Sequence, residues 1–450
     1  MKERKMGKER TYFCIDMKTF YASVECAERG LNPFETNLVV ADTSRGNGAL
    51  CLAVSPRMKA QGVKNRCRLY EIPKHIKYEA ALPRMQLYID YAADIYAIYL
   101  KYFSPDDIHV YSIDEAFIDA TNYLGAYNND AKGLAKKLMN EIAEVKHIPS
   151  TAGIGSNLFL AKIALDITAK HAKDHMGVLT EESFRETLWD HTPITDFWMI
   201  AGGTARRLER LGITTLRGVA QCPPELLYKM FGKVSELLID HSWGREPCRM
   251  QDIKSYKSKT HSVSFSQILQ KDYSYDEARV VMTEMILHGC QELMRRKVIC
   301  QKIWIGVGYS KDVLPMAHSQ TKLTSATAVN SLISPFVLDV FDRITDRSVP
   351  IRRLGISFND VCDEGCEGYD FFTDWDAVER EKAKEKTVLQ ISDKYGKNAI
   401  LRGTNFLAGA TQRERNGMIG GHRAGYDDIT REGEAVRPVR CYEGSAGGTA

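Results

Sequence analysis

Apolar and polar positions change period several times along the chain. Thr11–Asp16 is an unbroken β-branched and aromatic run, which predicts a buried strand. Phe20, Ala22, Val24 and Ala27 then recur at near-helical spacing. Leu38–Ala41 and Ala49–Val54 predict two short strands around a glycine-rich turn, Arg45–Gly48, and Pro56–Gln61 a short helix closed by Gly62. Between Leu82 and Phe103 a helical stripe runs through Leu87, Tyr91, Ile95, Ile98 and Tyr102. His109–Ser112 and Ala116–Asp119 predict two strands joined at Ile113–Glu115; helix Ala131–Val145, strand Ser150–Ile154 and helix Asn157–Ala169 follow. This mixed order suits an α+β sheet containing antiparallel strands, with helices on one face. It does not suit a doubly wound sheet, and neither G-x-G-x-x-G nor G-x-x-x-x-G-K occurs.

From Glu181 to Trp243 the pattern becomes short helices separated by turns. Arg249–His261 is polar and lysine-rich and predicts a linker. Ser262–Phe358 returns to α+β, with strands at Ser262–Phe265, Ile303–Tyr309 and Ile351–Phe358 and helices at Tyr275–Arg295 and Pro335–Ile344. An acidic stretch with glycines follows, then a helix over Ala377–Tyr395. From Gly417 the composition of glycine, arginine and polar residues predicts disorder.

The chain has 450 residues, room for roughly three domains. It is 44% hydrophobic and 26% charged, which excludes a fibrous or mostly disordered protein. No apolar run approaches the ~20 residues that span a bilayer, and Met1–Arg10 has no apolar core, so a cytoplasmic protein is expected. The net charge of +3 identifies no polyanionic partner by itself. Between Gln251 and Phe358, however, fifteen Lys and Arg face ten Asp and Glu, an excess larger than that of the whole chain. The eleven cysteines are scattered without a C-x-x-C pair and read as reduced thiols; Cys362 and Cys366 lack His–Cys partners at zinc-finger spacing.

The candidate chemistry lies in three acids. Asp16 ends a buried strand, and Asp114 and Glu115 sit between two apolar runs. A carboxylate beside buried strands must be paired or bind a cation, since bare burial costs several kcal/mol. Three carboxylates converging at one sheet edge supply oxygen ligands for Mg²⁺. The alternative is that Asp114 and Glu115 form an exposed hairpin turn and Asp16 caps a helix.

The segments carrying these acids resemble known motifs. Cys14–Glu25 (CIDMKTFYASVE) and Tyr111–Thr121 (YSIDEAFIDAT) resemble the two catalytic motifs of Y-family, translesion DNA polymerases. Gly153–Asp174 resembles that family's third block and Ser55–Val63 its fingers motif, in order over roughly residues 11–360; the YGKNAILRG run is most similar to the UmuC-like bacterial branch. The resemblance implies a right-hand polymerase. Its ferredoxin-like palm would lie at residues 10–30 and 82–175, small fingers at 31–81 and a helix-hairpin-helix thumb at 176–248. A linker at 249–261, an α+β little finger at 262–360 and a tail at 361–450 would complete it.

Residue by residue, the resemblance makes Asp16, Asp114 and Glu115 catalytic ligands of two Mg²⁺ ions, with the Met17 carbonyl as an extra ligand. Tyr21 matches the steric gate that excludes ribonucleotides, with Phe20 beside it; Lys59 and Lys162 match triphosphate contacts. In the fingers, Pro56 and Lys59 stand where relatives often have Tyr and Arg. In Phe197–Gly212, Met199 and Ala201 occupy the usual hairpin glycine positions, with Gly202 and Gly203 shifted along; Gly202, Gly203 and Thr204 are the candidate DNA-phosphate contacts. Arg352 and Arg353 are candidate template contacts, and Tyr369, Phe371 and Phe372 a candidate sliding-clamp segment. The implied substrates are primer–template DNA and dNTPs, handled by a monomer or with accessory subunits, in low-fidelity translesion synthesis and DNA repair. Two rivals are a catalytically inactive DNA-binding scaffold of the same fold and a palm-type nucleotide cyclase; the latter explains neither the thumb nor the basic third domain, and no G-G-[DE]-[DE]-F run is present.

Overall fold

The apolar run near the N-terminus becomes the central strand of a five-stranded sheet. The computed structural model describes residues 10–258, 262–368 and 373–425, in two units divided between Tyr256 and Lys257.

The first unit begins with β1 (Tyr12–Met17) and α1 (Phe20–Glu28). Next come β2 (Leu38–Ala41), β3 (Cys51–Val54), α2 (Pro56–Ala60) and β4 (Glu79–Ala81). Helix α3 (Met85–Leu100), β5 (Ile108–Val110), β6 (Glu115–Asp119), α4 (Ala131–Lys146), β7 (Ser150–Gly155) and α5 (Leu158–Ile163) follow. After a π turn at Ala164–Thr168 come α6 (Ala169–His171) and β8 (Met176–Leu179). The large sheet has the order β5-β6-β1-β7-β8; β1 is antiparallel to both neighbours, and β7 is parallel to β8. Strand β8 continues this sheet past residue 175, where the helical region was expected to begin. A separate small sheet, β3-β2-β4, forms around Val39, Cys51, Val54 and Met58.

Helix α5 lies flush on β7. A Cβ at Gly153 would come within 2.0 Å of the Ala161 carbonyl oxygen and 2.3 Å of the Leu165 nitrogen. Both are backbone atoms and cannot swing aside. Gly153→Ala is therefore expected to lower stability by roughly 1–3 kcal/mol, as overpacking does. The urea midpoint would fall with an unchanged slope.

The remaining helices of this unit are α7 (Glu181–Thr187), α8 (Gly202–Glu209), α9 (Leu216–Gln221), α10 (Pro224–Phe231), α11 (Val234–Ser242) and α12 (Met250–Ser255). Phe184, Phe197, Leu208, Leu216, Leu227 and Leu238 form the core shared by most of them. Helix α12 lies in the expected linker; buried Met250 anchors it, and Lys254 Nζ donates to the Pro105 carbonyl at 2.9 Å.

The second unit comprises β9 (Val263–Tyr273), α13 (Tyr275–Arg295), β10 (Val298–Tyr309), β11 (Ala317–Thr327), α14 (Asn330–Ile344) and β12 (Ile351–Asn359). The sheet runs β11-β10-β12-β9, all antiparallel, with β13 (Cys362–Asp363) pairing on β10. Ile303, Ile305, Leu354, Ile356 and Phe358 point to the face that packs on Val281, Ile286, Val337 and Phe341 of the two helices. The tail adds α15 (Trp375–Tyr395), α16 (Gln412–Asn416) and a hairpin of β14 (Met418–Ile419) and β15 (His422–Arg423). Residues 417–425 are thus ordered, contrary to expectation, and a buried charge explains why the tail folds back. Glu284 of α13, 3% exposed, accepts from Asn405 Nδ2 at 2.8 Å and from the Thr411 and Gln412 N–H groups at 2.8 and 3.1 Å.

No helix among the described residues is long and apolar enough to cross a membrane.

Candidate active site

The three acids share one end of the large sheet. Asp16 and Glu115 are cross-strand partners in the β1–β6 register, and the Met17 N–H donates to the Asp114 carbonyl at 2.9 Å. The hairpin-turn alternative is thereby limited: Glu115 is buried and strand-paired, while Asp114 alone sits at the turn. Ser112 Oγ donates to Asp114 Oδ1 at 2.6 Å.

Burial, then the charges of Asp114 and Glu115, push the Asp16 carboxyl up to about 8, with Lys162 pulling it back. A cluster of acids that resists full ionisation is the donor set a hard divalent cation favours. The oxygens are nevertheless not gathered into a ligand shell: among the described residues no group of three or more His, Cys, Asp or Glu is arranged to hold a metal ion. Glu115 is turned to other partners. Its Oε2 accepts from Lys162 Nζ at 2.7 Å, and its Oε1 from the Cys14 thiol at 3.0 Å.

Lys162 was expected over the triphosphate, but it is buried. The flush packing of α5 on β7 carries it against β6, and Asp166 Oδ2 completes its pairing at 3.2 Å. A buried ammonium must be paired in this way.

Tyr21 lies half-buried in the first turn of α1, and its ring stacks on Tyr88 of α3 at 4.6 Å between centroids. Tyr88 is fully buried and donates its hydroxyl to Glu25 Oε1 at 2.7 Å. Glu25 in turn accepts from Arg84 Nε and Nη2 at 2.9 and 2.8 Å. This chain fixes the plane of the Tyr21 ring, and its members were not singled out from sequence. Phe20, 2% exposed, packs tilted against Tyr21 at 5.9 Å between centroids, the place beside the gate that the resemblance gives it.

Lys59 is exposed on α2. Loss of water around its ammonium lowers its pKa, while the Asp16 charge pulls it up. Lys170 also acts on Lys59, Lys59 lowers Lys18, and the Arg66 charge reaches Tyr21. Lys18, whose Nζ lies 2.9 Å from His175 Nδ1, and Arg66 and Lys170 are thus further cations whose charge is felt at these groups.

The chain matches the impB/mucB/samB family over residues 15–166 and the family's C-terminal domain over residues 260–371. It is 30% identical over 425 residues to the "Putative UV-damage repair protein UvrX" of Bacillus subtilis, covering 92% of this chain and 98% of that one. The chain belongs to the impB/mucB/samB family. This member is also 30% identical over 436 residues to "DNA polymerase IV 2" of Bacillus subtilis, covering 93% of this chain and 100% of that one. Relatives of both names match, so they do not single out the UmuC-like branch. Among solved structures, a Y-family DNA polymerase chimera superposes with a TM-score of 0.62 at 22% identity, covering 78% of this chain and 99% of that one. The fold is therefore that of a Y-family polymerase.

Elsewhere in this family member, α8 opens at Gly202 behind Ala201, whose side chain cannot cap it. Gly203 is exposed and Thr204 half-buried in its first turn. Met199 holds the left-handed φ of 68°, where a hairpin would ordinarily use glycine. Arg352 is engaged with Asp272 at 3.3 Å, whereas Arg353 is exposed opposite Ile268. Tyr369, Phe371 and Phe372 lie outside the described residues.

Proposed function

We propose that this chain is a template-directed DNA polymerase that carries out low-fidelity translesion synthesis by two-metal phosphoryl transfer. The observation that carries the reading is the cross-strand pairing of Asp16 with Glu115, with Asp114 bonded alongside through the Met17 N–H. Asp16, Asp114 and Glu115 would hold two Mg²⁺, with the Met17 carbonyl as a further donor. When bound, these ions activate the primer 3′-hydroxyl and stabilise the leaving pyrophosphate.

The protein's own groups do the rest. Lys59, with Lys18, Arg66 and Lys170, offers point charges to the triphosphate. Tyr21, braced by Tyr88, presents a flat ring under the sugar. Lys162 holds Glu115 in place by charge. The first-turn N–H groups at Gly202, Gly203 and Thr204 and the exposed Arg353 suit DNA phosphates. Primer–template DNA and dNTPs are the substrates in this reading, and Tyr369–Phe372 is its clamp-binding segment.

The Glu115–Lys162 pair supports a second reading, a DNA-binding scaffold whose acids are committed to structural partners. Primer extension with Mg²⁺ and dNTPs separates the two. Extension is expected, and its absence would leave the scaffold. The small β3-β2-β4 fingers further imply misinsertion on undamaged template more often than about one in 10⁴, because tight closure is what supplies discrimination of that order. A lower error rate would refute that part of the proposal.

A further inference from the structure

Two thiols of the small β3-β2-β4 sheet stand opposite each other, and neither the catalytic reading nor the family match uses them. Cys51 opens β3, and the chain returns beside it at residues 67–69. The Cys51 N–H donates to the Cys67 carbonyl at 2.9 Å and the Leu69 N–H to the Ala49 carbonyl at 3.1 Å, which sets Leu50 opposite Arg68 in an antiparallel bridge. One step along that register, Cys51 faces Cys67. Facing residues of an antiparallel pair project to the same side, and both cysteines pack in one core with Val39, Val54, Met58 and Val63. A hydrogen-bonded facing pair holds its Cα atoms about 5.5 Å apart, the separation that a disulfide favours. Both thiols are free. Each is within reach of the other: burial, then the charge and the hydrogen bond of Cys67, push the Cys51 thiol up to about 12. Their access to solvent differs, because Cys51 is 0% exposed and Cys67 is only half-buried.

We propose that Cys51 and Cys67 form a redox-reactive dithiol that a peroxide closes into a disulfide, locking the fingers segment between them. Cys67 reacts first, since it alone of the two meets solvent and the thiolate is the nucleophile. Its sulfur attacks the peroxide: an S–O bond forms, the O–O bond breaks and hydroxide leaves, giving a sulfenic acid. The Cys51 sulfur then displaces hydroxide from Cys67 and gives up its proton to it, so that an S–S bond forms and the S–O bond breaks. Two thiols lose two electrons and two protons in all, and hydrogen peroxide becomes two waters. The segment so closed, residues 52–66, carries α2 with Lys59 and ends on Arg66, which holds a left-handed φ of 59° beside the crosslink. A segment tied at both ends cannot follow an incoming nucleotide. That the lock acts on nucleotide binding rests on the polymerase reading, in which Lys59 and Arg66 meet the triphosphate; the disulfide itself does not.

The test treats the reduced full chain with hydrogen peroxide and maps its peptides by mass spectrometry without reductant. The Cys51 and Cys67 peptides are expected joined and lighter by two hydrogens, and dithiothreitol should part them. Cys67→Ser should leave Cys51 a thiol. Cys51→Ala should stop Cys67 at the sulfenic acid, which dimedone traps. The map also separates this pair from Cys362 and Cys366, exposed thiols of the second unit that lie within reach of each other. In steady-state primer extension, oxidation should raise the nucleotide KM at least about threefold with kcat little changed, the mark of lost ground-state binding. Dithiothreitol should restore the KM, and Cys67→Ser should not respond to oxidation. Cys67 recovered as a thiol or as a sulfinic acid, with Cys51 still reduced, would overturn the dithiol. A joined pair with an unchanged KM, or a KM that still responds in Cys67→Ser, would overturn the lock. Reduced protein that fails to extend a primer removes only the polymerase reading, because the crosslink is read by mass alone.

Discussion

Replacing Asp114 and Glu115 together with alanine abolishes primer extension: a drop of at least about 10³-fold in the rate of nucleotide addition is expected. The two carboxylates are asked to supply several kcal/mol of transition-state stabilisation through the cations they hold, and each 1.36 kcal/mol is tenfold in rate. The double substitution also strips Lys162 of its 2.7 Å partner, leaving Asp166 as its remaining acid. A fall in activity could then reflect a loosened α5 rather than lost ligands. The isosteric pair Asp114→Asn and Glu115→Gln separates the causes, because the amides preserve shape while removing charge: a Gln at 115 can still accept from Lys162 through its one oxygen and turn its NH2 toward the Cys14 sulfur. It should be as inactive as the alanine pair, with a melting temperature near wild type and undiminished affinity for primer–template DNA. Extension that survives in either double variant would end the assignment of these acids.

Substituting Tyr21 by alanine should open the site to ribonucleotides. The ratio of deoxynucleotide to ribonucleotide insertion is expected to fall at least about 10²-fold, while deoxynucleotide insertion itself changes far less. The effect comes from removing a ring that Tyr88 holds in one plane at 4.6 Å between centroids. Losing that stacked pair should cost about 1 kcal/mol of stability, readable as a shift in the melting curve. Tyr21→Phe retains the ring and should retain sugar discrimination. Steady-state insertion of a matched dNTP and rNTP by the three proteins measures this directly. An unchanged ratio in Tyr21→Ala would move the gate elsewhere.

The elements that were readable in the sequence are those whose residues are apolar on both faces or strongly periodic. The buried strands β1, β6 and β7 were placed to within a residue, and α13 was found at its observed limits, opened by the Ser274–Glu277 capping box. Strand β11 was missed because its outward residues, His318, Gln320 and Lys322, make it look like a polar loop. Strands β4 and β8 are too short for a period to show, and α12 is helical despite a linker-like composition because Met250 docks it.

At the site, the acids themselves were legible from their apolar surroundings, but their meeting depends on the β1–β6 register. The partner of Lys162 depends on Gly153 letting a helix approach its strand, a relation that pattern does not reveal. Tyr88 was passed over because the stripe assigned to α3 shares Ile95 and Ile98 with the buried face but enters the helix through Leu87 and Tyr91, whereas the buried face enters through Met85 and Tyr88.

Glu284 ties the tail to the rest of the chain in a way that reaches beyond folding. A carboxylate that accepts from backbone amides more than a hundred positions downstream depends on the segment that supplies them. Without the tail that acid returns to water, and without the acid the Thr411 and Gln412 N–H groups lose their acceptor. Acid and tail are thus one structural unit, and a change at either end is felt at the other.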